Sequence, residues 1–358
     1  MTACKKKGGD GSGTPGGEPA PEQPKEEPPV ELKANWPVGK RLIVRTEALV
    51  EMEVQNPALP APVKIDQLQS QEVSISVVKD REGGGREMEV EFLGYKVESR
   101  AGGRLTQVFD SKSDPKSDIT NRASAPLRKL VGVKLKYLTD PAGKVDRVEG
   151  AAELLTKIVA GTPAAAQISL RAAFGEEGLK KMLPGVSGLP AQSVKVGETW
   201  PFNTTMPLPP FGTLLIEVTN TFKGMEDHAG RKCAAIEHAG GINITNRALP
   251  PGGVAPTLDE ATVTGTTWFD TTLGTVVEST TEMVFTYKGA ATTPVKIKQV
   301  TKLLQVADLA GGAAQVIPGS DSKLAAPKAA TAAPGFAAEG VSKAPGVMKL
   351  DGAAPKRK

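Results

Sequence analysis

Leu42-Ile43-Val44-Arg45-Thr46-Glu47-Ala48-Leu49-Val50-Glu51-Met52-Glu53-Val54 decides the fold class. Its apolar residues recur on even numbers, at Leu42, Val44, Ala48, Val50, Met52 and Val54. Successive side chains of a strand point to opposite faces, so this period of two predicts a strand with one buried face. The same alternation follows at Val73, Ile75 and Val77 and, after a Gly83-Gly84-Gly85 turn, at Met88, Val90 and Phe92. Beyond Gly94 the apolar positions turn odd, at Tyr95 and Val97. A parity switch at a glycine predicts a β-bulge. Val131, Val133, Leu135 and Tyr137 alternate next. Asp140-Pro141-Ala142-Gly143 then places Pro and Gly where a type I turn prefers them, and Val145 and Val148 lie on the returning strand.

Past residue 200 the texture repeats. Leu214, Ile216, Val218 and Phe222 predict one strand and Arg231 to Ile236 a partner. Thr266 to Phe269 runs through an Asp270-to-Gly274 turn into Thr275 to Tyr287, where Val277, Met283, Phe285 and Tyr287 share a face; Val295 to Val306 closes the series. The connections are too short for parallel crossovers, so antiparallel hairpins dominate. Between the halves, about 151–183 predicts a helical insert. Leu154, Leu155, Ile158 and Val159 have helical spacing, and Thr162-Pro163 reads as an N-cap followed by a first-turn proline. Leu170, Phe174, Leu179, Met182 and Leu183 form an apolar stripe broken at Gly175 and Gly178. Trp36-Pro37-Val38-Gly39-Lys40 is echoed by Val194-Lys195-Val196-Gly197-Glu198-Thr199-Trp200-Pro201, which suggests duplicated β-halves. The expected fold is α+β, predominantly antiparallel β, with two β-halves around a short helical insert and disordered tails at both ends.

Composition sets the outer limits. Of 358 residues 39% are hydrophobic and only 4% aromatic, and glycine and proline are denser at the two ends than in the middle. Residues 1–30 read as a tether, 31–310 as the folded domain, and 311–358 as a disordered Ala/Pro/Lys-rich tail whose spread basic residues form a solvated face. A net charge of +4 on a chain this long does not imply a nucleic-acid surface. No stretch approaches the roughly 20 apolar residues of a membrane-spanning helix. Two cysteines exclude a disulfide scaffold or a four-cysteine zinc site. Met1-Thr2-Ala3-Cys4 resembles the end of a bacterial lipoprotein signal peptide, with Cys4 as the lipidated residue. The basic and apolar segments of such a peptide are absent from this sequence, so the reading expects the true start to lie upstream.

Several motifs together resemble a family of uncharacterised β-rich bacterial envelope proteins, many of them lipoproteins. They are Val38-Gly39, Phe109-Asp110-Ser111, Leu130-Val131-Gly132, Asp140-Pro141-Ala142-Gly143-Lys144-Val145 with Gly150, and Val194 to Trp200. The resemblance implies a β-rich fold in the envelope, membrane-tethered or periplasmic, and supplies no catalytic residues. The Asp270-to-Val277 hairpin resembles one in periplasmic lipoprotein-carrier folds, which curve a sheet around helices to shelter acyl chains.

Chemistry is thinly supplied. His228, Cys233 and His238 are spaced five and five, and odd spacing along one strand puts Cys233 on the face opposite both histidines, so no metal site is expected there. Glu98, Asp110, Asp114 and Asp118 read as a solvated loop, and no nucleophile elbow, phosphate-binding loop or dinucleotide fingerprint is present. The expectation is a non-catalytic envelope binding or accessory protein without cofactor or metal. The alternatives are a carrier sheltering an apolar ligand in a curved sheet and, further off, a hydrolase of an envelope polymer. A ligand, if held against the insert, is expected at Leu170, Phe174 and Met182.

Overall fold

A computed structural model describes residues 28–55, 61–116, 125–183, 188–208, 212–245, 256–289, 291–319 and 324. Cys4, Asp118, most of the expected tether and most of the expected tail lie outside the described residues. The strands are β1 (Lys40–Val54), β2 (Val63–Asp80), β3 (Arg86–Ala101), β4 (Arg104–Asp110), β5 (Lys134–Thr139) and β6 (Val145–Glu149), then β7 (Thr199–Leu208), β8 (Gly212–His228), β9 (Arg231–Thr245), β10 (Thr257–Asp270), β11 (Thr275–Lys288), β12 (Thr292–Asp308) and β13 (Gln315–Val316). The helices are short: α1 (Ala125–Arg128), α2 (Ala151–Val159), α3 (Ala164–Phe174) and α4 (Glu176–Lys180).

All the strands join one antiparallel sheet in the order β6-β5-β3-β2-β1-β12-β11-β10-β9-β8-β7, with β4 on β3 and β13 on β12. Two meanders therefore meet where the first long strand pairs with the last. Leu42 lies opposite Val306 and Met52 opposite Val295. Helices α2 to α4 connect the two outer edges, β6 and β7, while α1 lies between β4 and β5. Laid flat, those edges would stand about 48 Å apart at about 4.8 Å per strand. Yet Tyr137 Oη of β5 donates to Leu179 O of α4 at 3.1 Å, and two residues later Lys181 Nζ donates to Thr205 Oγ1 of β7 at 2.9 Å. The sheet must therefore curl until its edges approach each other across the helices.

The parity switch at Gly94 is a bulge. Glu72 pairs with Gly94 but Val73 with Phe92, leaving Leu93 as the extra residue. The helix boundaries depart from the sequence reading. Thr162 does not cap α3: its hydroxyl donates back to Ile158 O at 3.1 Å, closing the end of α2, and Pro163 takes the N-cap position. Gly175 separates α3 from α4, and a side chain at Gly178 would come within 2.4 Å of the Ala172 and Ala173 carbonyls, so glycine permits the tight join. Duplication is not shown by the topology: Trp36-Pro37 precedes the central strand β1, whereas Trp200-Pro201 lies in the edge strand β7. The chain also keeps its place in the fold beyond Gly311, since β13 pairs with β12 and Ile317 is buried in the main core.

That core fills one end of the strands. Leu42 and Val44 of β1, Val73, Ile75 and Val77 of β2, and Met88, Val90 and Phe92 of β3 pack under Leu154, Ile158, Leu170, Phe174 and Leu179. Phe174 meets Phe92 edge to face, centroids 6.3 Å apart, an arrangement the ring quadrupoles favour. A second apolar cluster occupies the other end, from Val50 and Met52 to Ile216, Ile242, Val263, Met283, Phe285 and Ile297.

Candidate functional site

Between these apolar clusters the inner face of the sheet changes character. On β1 the alternation passes from Leu42 and Val44 through Thr46 and Ala48 to Val50 and Met52. On β12 it passes from Leu303 through Thr301 and Gln299 to Ile297 and Val295. Strand pairing carries the interruption from neighbour to neighbour. Gln69 lies opposite Ala48, Ala48 opposite Gln299, Gln299 opposite Thr281, Thr281 opposite Gly265, Gly265 opposite His238, and His238 opposite Asn220. One register step away, Gln71, Thr46, Thr301, Ser279 and Thr267 are paired in the same manner. Two adjacent rows of small, hydroxyl and amide side chains thus cross the curled sheet.

Hydrogen bonds run along these rows. Thr46 Oγ1 and Thr301 Oγ1 are 3.1 Å apart, Thr267 Oγ1 and Ser279 Oγ 2.8 Å, and His238 Nε2 and Thr281 Oγ1 3.2 Å. Tyr95 Oη donates to Gln69 Oε1 at 3.0 Å, and burial pushes the Tyr95 phenol up to about 12, so it stays a donor at neutral pH. Burial also holds the His238 imidazole below the ordinary histidine range. His238 reaches β11 by lying across Gly265 of β10. A Cβ at Gly265 would stand 2.3 Å from His238 Nε2 and 2.0 Å from Thr280 O. Glycine is required there for close approach rather than for a turn.

The rows line two adjoining concavities. The larger, about 400 Å³, has apolar walls at Phe202, Met206, Ile216, Val218, Val263 and Met283 and a floor of Asn220, His238, Thr267, Ser279 and Thr281. The smaller, about 270 Å³, is bounded by Thr46, Ala48, Gln69, Gln71, Tyr95 and Met182. Lys181, Gln299 and Thr301 belong to both, so the two form one trough along the polar rows. Lys181 stands over the junction. Its side chain is the only Lys, Arg, Asp or Glu among the residues lining either concavity; the other ionisable groups there are the His238 imidazole and the Tyr95 phenol. Its ammonium donates to Thr205 Oγ1 at 2.9 Å and to Thr205 O at 3.3 Å. The neighbouring Lys180 takes the nearby carboxylates of Glu176 and Glu177, at 3.3 and 2.9 Å; no carboxylate among the described residues pairs with Lys181.

The residues anticipated from sequence fall elsewhere or at the margin. Leu170 and Phe174 are enclosed in the helix-covered core and face no open space, because α3 lays its apolar side directly on β3. Met182 lines the smaller concavity. His228 also needs a correction: it ends β8, across the Ala229-Gly230 turn from β9, and pairs with Arg231, so it lies on the same face as Cys233. His228 and Cys233 lie on different strands, so odd spacing does not set them on opposite faces. His238, within β9, does face the other way. His228 stacks on Trp268 at 4.1 Å and contacts Glu278 Oε2 at 3.1 Å, while burial pushes the Cys233 thiol up to about 12. A thiol so protected is a packing residue. Among the described residues no group of three or more His, Cys, Asp or Glu could hold a metal ion. The trough itself went unnoticed in the sequence. Its signal was there as Thr46, Thr281, Thr301 and Asn220, each a polar residue breaking an apolar alternation in mid-strand.

No curated protein matches the chain. Among solved structures it is similar to one titled "Lipid-protein interactions in lipovitellin", with TM-score 0.42 and 9% identity over 79% of this chain, which spans 27% of that one. It is also similar to DynF from the dynemicin biosynthesis pathway of Micromonospora chersina, with TM-score 0.20 and 8% identity over 82% of this chain and 92% of that one. At these TM-scores the likeness says nothing about what the chain binds. The family comparison is firmer, covering β3 to β10 and the helices: residues 84–276 match DUF6263, a family of unknown function, and the chain belongs to that family.

Proposed function

We propose that the protein is a non-catalytic binding protein of the bacterial envelope that shelters a small amphipathic molecule in the trough. The observation that carries this reading is the pair of rows of hydroxyl, amide and small side chains between two apolar zones on the concave side of a curled sheet. A surface of that kind suits a molecule with an apolar body and a polar end. The larger concavity alone lies within the roughly 300–1,000 Å³ of ordinary small-molecule sites, and it combines apolar walls with a few convergent polar groups. The envelope setting rests on Cys4 and the Pro/Gly-rich segment after it, which would tether the domain to a membrane once Cys4 is acylated. Of the functions the sequence leaves open, the carrier is the one an open trough favours over a scaffold with a filled core.

The test is a titration of full-length protein with a fluorescent single-chain fatty acid, beside native mass spectrometry of protein from a lipid-rich host. Saturable binding, lost in Val263→Trp, is the expected result, since the indole would occupy the larger concavity. No co-purified lipid and no saturable binding to high micromolar concentration would sink the carrier reading.

A further inference from the structure

Resting on that reading, the geometry points to a more specific ligand: a single-chain amphiphile with an anionic head, such as a carboxylate, seated at Lys181. Among the described residues Lys181 has no carboxylate within ion-pair distance, and it is placed where both concavities meet and where Gln299 and Thr301 face the same space. Thr205 holds its ammonium through two oxygens, which leaves a third N–H for a ligand. The opposite charge is the natural occupant. A cationic head would meet a like charge, with no acidic side chain in either lining to offset it. A neutral head could accept the third N–H but would bring no opposite charge to the ammonium.

The remainder of the ligand follows from the walls. From Lys181 the larger concavity runs between Phe202 and Met206 on one side and Val263 and Met283 on the other, and holds one chain. The smaller concavity beside Lys181 is floored by Gln69, Gln71 and Thr46, so it suits the hydrated periphery of the head. Lys181 is exposed, and this places the head at the entrance with the chain inside.

The experiment compares a fluorescent polyene fatty acid with its matching alcohol on wild type, Lys181→Gln and Lys181→Arg. A charge-assisted contact at a partly exposed site is worth about a three- to tenfold preference. Wild type should therefore bind the acid about fivefold tighter than the alcohol. Lys181→Gln should lose that preference while keeping the affinity for the alcohol, and Lys181→Arg should retain the preference. Should wild type bind both probes equally well, or Lys181→Gln still favour the acid, the assignment of the head to Lys181 is wrong and the carrier reading survives. Should neither probe bind wild type, the carrier reading itself fails. Urea unfolding of each variant separates loss of fold from loss of contact.

Discussion

The two stretches of the concave face follow the same strands and differ in what lies over them. Near the β3–β5 end, α2 to α4 press Leu154, Ile158, Phe174 and Leu179 onto the sheet, and all four are buried. At mid-strand the same sheet presents Thr46, Gln299, Thr281, His238 and Asn220, where the described residues of the connecting segment that line the space are Lys181, Met182, Leu183 and Gly188-Leu189. Apolar stripes on a helix and a sheet gain about 25 cal/mol per Å² by excluding water from each other. Hydroxyl and amide rows gain nothing from an apolar cover, because burying them without partners costs more than it returns. The filled end therefore holds the fold together, and the row of polar side chains keeps the middle open.

The largest expected effect tests that division directly. Phe174→Ala removes a ring enclosed by Phe92 and the sheet and should cost about 3–5 kcal/mol. Met206→Ala, on the half-exposed trough wall, should cost less than about 2 kcal/mol, since water already reaches the space it leaves. Urea unfolding midpoints of the two variants make the comparison. Equal losses would mean that the trough is as tightly packed as the core.

An intermediate effect is expected at Gly265, where the two rows depend on a missing side chain. Gly265→Ala places a methyl against Thr280 O and the His238 ring, and the backbone contact cannot be relieved by a rotamer change. The expected loss is about 1–3 kcal/mol, as for other overpacked sites. His238 should also be displaced from Thr281, read as a change in its imidazole proton shifts. An Ala variant with wild-type stability and an unmoved His238 spectrum would show that the ring does not lie across β10.

How far the sequence was legible follows the same division. Period-two alternation marked β1, β3 and β8, and the parity change at Gly94 located a bulge to within one residue, because apolar burial writes itself into spacing. β7 was hidden because Pro201 and Pro207 argue against a strand, a penalty that an edge strand escapes. The extent of β9 was hidden too: Ala239-Gly240-Gly241 lacks β propensity, yet a Cβ at Gly240 would strike Glu217 O at 1.9 Å. The trough is legible only as isolated polar interruptions, for a different reason. Its rows are made by register between strands far apart in sequence, such as Thr46 and Thr301, and no local window holds both.

The smallest expected effect uses pH to sharpen the contrast, through the one imidazole in the polar rows. Burial holds the His238 pKa below the value of about 6.5 that an exposed histidine has in the unfolded chain. A depressed native pKa means that the unfolded state takes up the proton first. The contribution to stability is therefore full above about pH 6.5 and is lost as pH falls through the native pKa. The groups facing the ring do not reverse this sign: Asn220 and Gly265 are uncharged, Thr281 supplies a hydroxyl, Lys181 in the same lining is a cation, and burial is what lowers the imidazole. Carboxylates such as Glu282, held below their usual range chiefly by hydrogen bonding to Lys296, titrate lower and fall outside this window. Urea midpoints measured between pH 7.5 and about pH 5 should decline for wild type, and His238→Gln should remove part of the decline. His228, stacked on Trp268 on the other face of the sheet, is present in both proteins and cancels in the difference. Identical pH profiles for wild type and His238→Gln would mean that the ring is solvated in the trough, and that the polar rows are wetter at β9 than at β11.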